Sequence, residues 1–299
     1  MHGDPIVGLK DDLASCLRDS GRSAEPRRIE VLGRSGECSV LRVEVGDEQI
    51  VAKIVPASSH ALLVQQREGL EAMQVTGTVS VSRPLHDGIH GRSGILLMES
   101  IRSGTIDEAG WERFGRELAA LHDVEAGSAY GFAHDNHIGS TIQPNGWMDD
   151  WVRFNRERRI GHMLDILRSG GSLPADLEYA VLGVMDAMDR LVPARPVPSL
   201  IHGDLWSGNA IGAGDGRIVL IDPACSHGDG LADIAMMRLF GGFPESCYRS
   251  YFSIRRARED LDQIIGTYQL YHVLNHAVIF GGGYHGQALS LCRSLLDRA

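Results

Sequence analysis

Residues 200–209 read LIHGDLWSGN, and residues 217–223 read RIVLIDP. An acid, Asp204, is followed five residues later by an amide, Asn209; a second acid, Asp222, closes an apolar run thirteen residues further on. Two short strand-like runs, NAIGA and RIVLID, lie between Asn209 and Asp222. A hairpin built from them brings both side chains to one side. A carboxylate and a carboxamide oxygen suit a hard dication that keeps its remaining positions for phosphate oxygens. Asp204 is then free to accept a proton from an attacking hydroxyl. Singly, a helix-capping Asp and a turn Asn are common. Their combination at this spacing is what points to chemistry.

The chain has 299 residues, 43% of them hydrophobic, enough for one large domain or two lobes. No run of 18 apolar residues occurs, which predicts no membrane span. The opening MHGDPIVGLKDDL has no basic segment leading into an apolar one, so no signal peptide is expected. Five cysteines, at 16, 38, 225, 247 and 292, are scattered and never spaced as CxxC. That pattern predicts a reducing, cytoplasmic setting with neither a disulfide frame nor a zinc site. The histidines likewise show no metal-ligand spacing. A net charge of −10 argues against a nucleic-acid-binding face, though not against an anion held in a local basic pocket. Of 29 basic residues only Lys10 and Lys53 are lysines. A lysine kept inside a strand, in VAKIV, therefore carries weight.

The first hundred residues read as a helix over 6–19, strands at 27–33, 38–45 and 49–55, a helix over 60–75, then strands near 79–85 and at 94–99. This predicts a five-stranded antiparallel sheet with one main helix. Helices follow at 107–124, 147–168, 174–191, 229–239, 244–253, 259–279 and 284–297. The reading is an α+β, two-lobed plan: residues 1–100 as a nucleotide-binding lobe, 101–299 as a catalytic and substrate lobe, with a cleft at the join.

Protein kinases place a base Asp and a metal-binding Asn five positions apart, with a second metal-binding Asp on a following strand. On that pattern the cofactors are ATP and Mg2+. Lys53 falls on the third strand, where kinase-like folds hold the lysine that grips nucleotide phosphates. Its expected partner is Glu68 on the next helix, with Glu71 as the alternative. GRSGECSV at 33–40 contains only Gly33 and Gly36, short of a full GxGxxG and no different from a plain hairpin turn; it reads as a nucleotide-covering hairpin because Lys53 follows at a suitable distance, and Cys38 beside it reads as a small buried residue, with a redox-sensitive thiol as the alternative. In LLMES at 96–100 and just beyond, the backbone of Glu99 and Ile101 is placed to pair with the adenine edge. His202 reads as a structural loop histidine. Arg156, Arg158 and Arg159 read as a solvated helix face.

HGDLWSGN followed by DPA resembles the fructosamine kinase (ketosamine-3-kinase) family, part of the wider aminoglycoside-phosphotransferase and choline-kinase-like group. The stretches YGFAHDNHIGSTIQPNGWMDDWVRFNRERRI at 130–160, DIAMMRLFGGFP at 233–244 and YQLYHVLNHAVIFGGGY at 268–284 extend the likeness from about residue 30 to the C-terminus. The resemblance implies a bilobal protein-kinase-like fold. It also implies ATP- and Mg2+-dependent phosphorylation of the third-carbon hydroxyl of a ketosamine, the sugar adduct of an amine or protein lysine. Asp204 then looks like the base, Asn209 and Asp222 the metal ligands, and Lys53 with Glu68 the phosphate-gripping pair. Asp229 and Asp233 look like supporting acids. Asp135, Asn136, Gln143, Asn145 and Trp147 fall in a stretch peculiar to the family. The chain departs from the family in GDGLADIAM, where Gly230 and Leu231 replace an Arg-Glu pair, and in SIRRARED at 253–260; both touch sugar-amine specificity. The rival readings are a kinase for an aminoglycoside, a choline-like amine or another sugar, and a non-catalytic nucleotide-binding regulator.

Overall fold

A computed structural model describes residues 5–23, 25–124 and 127–298. The chain divides into two compact units: unit 1 is Met1–Thr105 with Ile211–Asp222, and unit 2 is Ile106–Ala210 with Pro223–Ala299.

Unit 1 runs α1 (Pro5–Asp19), β1 (Arg28–Ser35), β2 (Cys38–Val45), β3 (Glu48–Pro56), α2 (His60–Thr76), β4 (Ser80–Val81), β5 (Pro84–His90) and β6 (Ser93–Glu99). Among the described residues five of these strands form one antiparallel sheet in the order β1-β2-β3-β6-β5. Side chains alternate across a strand, so register decides which face each residue serves. Leu41, Val43, Ile50, Ala52, Ile54, Ile95 and Leu97 share one face, where α1 packs Leu13, Cys16 and Leu17 against them. Lys53 lies between Val40 and Leu96 in the ladder, on the opposite face.

The expected strand near 79–85 is not the one in the sheet. Ser80–Val81 instead pairs in parallel with Ile218–Leu220, through Val219↔Ser80 and Leu220↔Val81. The sheet strand is β5, PLHDGIH, whose polar residues hide it from a search for apolar alternation. The same parallel pairing draws 211–222 into unit 1, whereas the sequence placed this hairpin with the second half. Ser82 N–H donates to the Leu220 carbonyl at 3.0 Å, and Gly104 N–H to that of Gly212 at 2.8 Å. The chain thus enters unit 1 just after Asn209 and leaves it at Asp222.

Unit 2 is mostly helical, as expected: Glu108–His122, Trp151–Ser169, Ala175–Asp186, Leu231–Phe240, Glu245–Ile254, Leu261–Phe280 and Gly283–Leu296. Asp107 and Asp150 cap two of these, their carboxylates accepting the N–H of Gly110 at 2.8 Å and of Arg153 at 2.9 Å. A π-helical turn occupies Asn155–Gly161. Ser199–Ile201 pairs antiparallel with Ser226–Gly228, and Asn136–Ile138 with Thr141–Gln143. Leu261–Phe280 is apolar on nearly all sides, as suits a helix at the centre of its unit. No described helix is long and apolar enough to cross a membrane.

His272, on that central helix, is buried, and its Nδ1 has no hydrogen-bond partner. Burial, reinforced by His276, holds its imidazole down to about 3 from an ordinary 6.5. A depressed histidine pKa leaves stability intact above the unfolded value; it is lost as pH falls from about 6.5 toward 3, because the unfolded chain takes up the proton first. Each unit of separation is worth about 1.4 kcal/mol. Denaturant midpoints measured from pH 7 to pH 4 are expected to fall less steeply for His272→Gln than for the parent chain. Parallel slopes would show that this histidine does not control acid sensitivity.

Candidate active site

The loop carrying Asp204 is anchored from below. Asp233 is fully buried, and its carboxylate accepts the backbone N–H groups of His202 and Gly203, both at 2.8 Å. It also takes His122 Nε2 at 3.1 Å, while His122 Nδ1 meets the Tyr251 hydroxyl at 2.9 Å. Burial alone would raise the Asp233 carboxyl; the hydrogen bond and charge of His122, with His202 and the Gly203 N–H, outweigh it and hold the group below its usual range. Gly203 has φ 80°, and a Cβ there would sit 2.1 Å from the Ala224 carbonyl, so only glycine makes this turn. His202 is buried and its Nδ1 accepts the Asp204 N–H at 3.2 Å, the structural role expected of it. Asn209 Nδ2 donates to the Asp204 carbonyl at 2.8 Å and to Asp204 Oδ2 at 3.1 Å. With Nδ2 so used, Asn209 offers Oδ1 as its acceptor. Trp206, between the two, is an exposed aromatic that the sequence did not single out as a site residue.

In unit 1, Lys53 is nearly buried and donates from Nζ to Asp222 Oδ1 at 2.5 Å and to Gln66 Oε1 at 3.2 Å. Gln66 Nε2 donates to the same Asp222 oxygen at 2.5 Å. The helix side chain that meets Lys53 at 3.2 Å is Gln66, where the sequence pointed to Glu68 or Glu71. The reason is helical phase: Gln66 continues the inward stripe of Leu63, Leu70 and Met73, whereas Glu68 stands about 200° around the axis from it. Glu68 lies 3.7 Å from Arg67, and Glu71 pairs with Arg67 at 2.8 Å. Asp222 has φ 56°, the only described non-glycine residue in the left-handed region, a strained conformation of the kind that gathers at functional sites.

Lys53 and Asp222 line a pocket of about 280 Å³ whose walls include Leu32, Gly33, Val40, Val51, Met98, Ile211 and Ile221. Glu99, Ser100 and Ile101 close one side. The Glu99 N–H is taken by the Arg83 carbonyl at 2.9 Å, and its carbonyl receives the Ser82 hydroxyl at 3.1 Å. A carbonyl oxygen has a second lone pair to offer. Gly36 occupies the β1–β2 turn at φ 54°, and the pocket wall from this hairpin comes from Leu32, Gly33, Val40 and Arg42 instead. Cys38 is half-buried, and burial raises its thiol despite the opposing charge of Lys53.

Arg159 departs from expectation. It is buried, and burial lowers its guanidinium to about 10. It donates to the Pro144 carbonyl at 2.6 Å, Asn145 Oδ1 at 2.8 Å and Ser226 Oγ at 3.2 Å, and lies over the Phe154 ring at 4.5 Å. The π-helical turn changes the angular step that a 3.6-residue period assumes, which is why a solvated face was the wrong reading here. Arg158 is exposed, and Arg156 donates to the Met185 carbonyl. Around Arg159, Asn136 Nδ2 donates to the Cys225 carbonyl at 2.8 Å, Gln143 Nε2 to that of Ala224 at 3.0 Å, and Tyr271 OH to Gln143 Oε1 at 2.8 Å. Asp135 accepts the Asn145 N–H at 2.8 Å. These side chains hold the backbone just beyond Asp222. Trp147 is half-exposed and stacked on His227, with ring centroids 5.4 Å apart. Asp229 accepts from Tyr268 at 2.9 Å and from the Leu231 N–H at 3.0 Å; burial raises its carboxyl against those bonds.

Known proteins resemble this chain over most of its length. The family model described as Fructosamine kinase matches residues 21–298. A probable ketoamine kinase of Synechocystis is 39% identical over 252 residues, covering 84% of each chain. The chloroplastic protein-ribulosamine 3-kinase of Arabidopsis thaliana is 36% identical over 227 residues, 75% of this chain and 68% of that one. Among solved structures, a fructosamine-3-kinase-type protein from Thermobifida fusca superposes with a TM-score of 0.87 at 28% identity, covering 97% of this chain and 99% of the other. An aminoglycoside phosphotransferase superposes with a TM-score of 0.66 at 15% identity over 92% and 95% of the two chains, which places this chain in the protein-kinase-like fold.

Proposed function

The chain belongs to the fructosamine kinase family, which makes it a small-molecule kinase with a hydroxyl acceptor, and we propose that it moves the γ-phosphoryl group of ATP to the third-carbon hydroxyl of a ketosamine. The reading rests most directly on one observation: Lys53, one of only two lysines in the chain, is held by Gln66 and meets Asp222 in the wall of a pocket of about 280 Å³ lined largely by apolar side chains.

In this reading the apolar walls take the adenine ring, and the Glu99 carbonyl with the Ile101 N–H meets its edge. Lys53 faces the phosphates. Asp222 and Asn209 would supply oxygen donors for Mg2+, and the chemistry of each suits that role: one offers a carboxylate, the other an amide oxygen whose nitrogen is committed elsewhere. When bound, the metal neutralises charge on the phosphate oxygens. Asp204 orients the acceptor hydroxyl and takes its proton as the new oxygen–phosphorus bond forms and the bond to the ADP oxygen breaks. Asp233, through the backbone of His202 and Gly203, keeps the Asp204 loop from shifting. Catalysis of this kind is mainly positioning and charge stabilisation. The unpaired cysteines fit a reducing, cytosolic site of action.

The test is turnover with synthetic fructosyl- and ribulosyl-amines against an aminoglycoside, choline and free sugars. A phosphate on the third carbon lies β to the enol that the amine-bearing first carbon can form. The product should therefore decompose after the enzyme is removed, releasing phosphate and amine in step by NMR. Preference for another acceptor, or a stable product with phosphate elsewhere, would overturn the ketosamine reading.

Gln66 gives a second expectation. It hydrogen-bonds a charged group on each side, and such bonds are worth roughly 1.5–3 kcal/mol. Gln66→Leu is expected to lower kcat/KM by roughly one to two orders of magnitude, while Glu68→Gln stays near the parent value. Equal effects from the two would return the Lys53 partnership to Glu68.

A further inference from the structure

On the face of the unit 1 sheet away from Lys53, three side chains from distant parts of the chain converge. Cys16 comes from α1; His86 and His90 come from β5. Cys16 Sγ and one ring nitrogen of each histidine lie within 4.8 Å of one another. His86 and His90 are four apart on a strand, so they share a face; the ladder sets them opposite Leu97 and Ser93, on the side that α1 covers. Between them stands Gly88. A Cβ there would lie 3.0 Å from His90 Nε2 and 3.8 Å from His86 Nε2, so the two Nε2 atoms converge over the gap the glycine leaves.

The hydrogen-bond state of His90 is the second observation. Its side chain is more than nine-tenths buried, and its Nε2 has no partner. Its other nitrogen, Nδ1, faces Ser15 Oγ at 3.3 Å and Asp19 Oδ2 at 3.7 Å. With Asp19 and Ser15 as acceptors at Nδ1, the ring proton sits there and Nε2, the nitrogen over the Gly88 gap, keeps its lone pair. A carboxylate behind a histidine whose far nitrogen is free is the arrangement that orients imidazole ligands toward metals.

We propose that Cys16, His86 and His90 form a binding site for a zinc-class divalent ion, which staples α1 to the outer face of the sheet. A thiolate with two imidazoles suits zinc rather than magnesium. Bond lengths of about 2.3 Å to sulfur and 2.0–2.1 Å to nitrogen put ligand atoms roughly 3.5 Å apart, a closure that side-chain rotation supplies. Metal uptake displaces the Cys16 thiol proton to solvent. Asp19, at 3.7 Å from His90 Nδ1, and Asp12, which holds Ser93 Oγ at 2.7 Å, add negative charge beside the site. Sequence spacing predicted no zinc site because Cys16 and His86 are 70 residues apart and meet only when α1 docks.

The full chain, stripped with a chelator and titrated with Co2+, is expected to bind one ion per chain and to develop a thiolate-to-cobalt charge-transfer band in the near ultraviolet. Zn2+ should displace it and raise the melting temperature. Cys16→Ser should remove the band. Gly88→Ala, which keeps every ligand but fills the gap, and His86→Gln should each weaken binding at least tenfold; Asp19→Asn should weaken it roughly ten- to a hundredfold. The two strand variants keep the test decisive should Cys16→Ser fail to fold. No stoichiometric uptake, a band that survives Cys16→Ser, or parent affinity in both strand variants would overturn the site.

Discussion

Asp204→Asn is expected to cut turnover by roughly two to four orders of magnitude, the scale of a positioned general base, with MgATP affinity and melting temperature close to the parent. The substitution preserves shape and removes only the basic oxygen. The loop's anchors do not depend on that carboxylate: Asp233 grips the backbone of His202 and Gly203, and the Asn209 amide also holds the Asp204 carbonyl. Single-turnover kinetics with saturating nucleotide separate the chemical step from binding. Turnover within tenfold of the parent, in a folded and pure variant, would remove Asp204 from the base position.

Asp222→Asn should fail differently. Asparagine tolerates the left-handed backbone that Asp222 occupies at φ 56°, so the change isolates charge from conformation. It removes the carboxylate that pairs with Lys53 and that, in the proposed reading, binds the metal. Turnover should fall by roughly two to three orders of magnitude, the range seen when one electrostatic stabiliser is lost. Nucleotide affinity should fall with it, and the gain in affinity that Mg2+ brings should shrink. Calorimetry with and without Mg2+, run beside Asp204→Asn, distinguishes the two roles. An Asp222→Asn protein that binds MgATP as the parent does would show that its carboxylate is no metal ligand.

Much of this arrangement was legible in the chain. HGDLWSGN and RIVLIDP announced the loop and hairpin because their chemistry is local: Asn209 reaches Asp204 across five residues, and Asp222 follows a strand whose apolar run marks it. Lys53 stood out because lysine is so scarce here, and the period-2 pattern of β3 already set it on the face opposite Ala52 and Ile54. Other residues were misread for identifiable reasons. Glu68 carries the charge expected of a lysine partner, but charge says nothing of which side of α2 faces the sheet. Arg159 looked solvated because a π-helical turn breaks the angular bookkeeping of a helix. The β5 strand was missed because PLHDGIH contains too few apolar residues to show alternation.

Sequence alone determined most of the elements, the chemical inventory and the family, since periodicity, turn residues and short motifs act over a few residues and carry their meaning locally. Tertiary structure alone decided which groups meet. It paired Lys53 with Gln66 and with Asp222, 169 residues away, and buried Arg159 among neutral acceptors. It also drew Ile218–Leu220 onto Ser80–Val81 and set Cys16 beside His86 and His90. Those partnerships depend on strand register, helix phase and side-chain reach. All three are settled by packing the whole core at once, and no local stretch of chain contains that information.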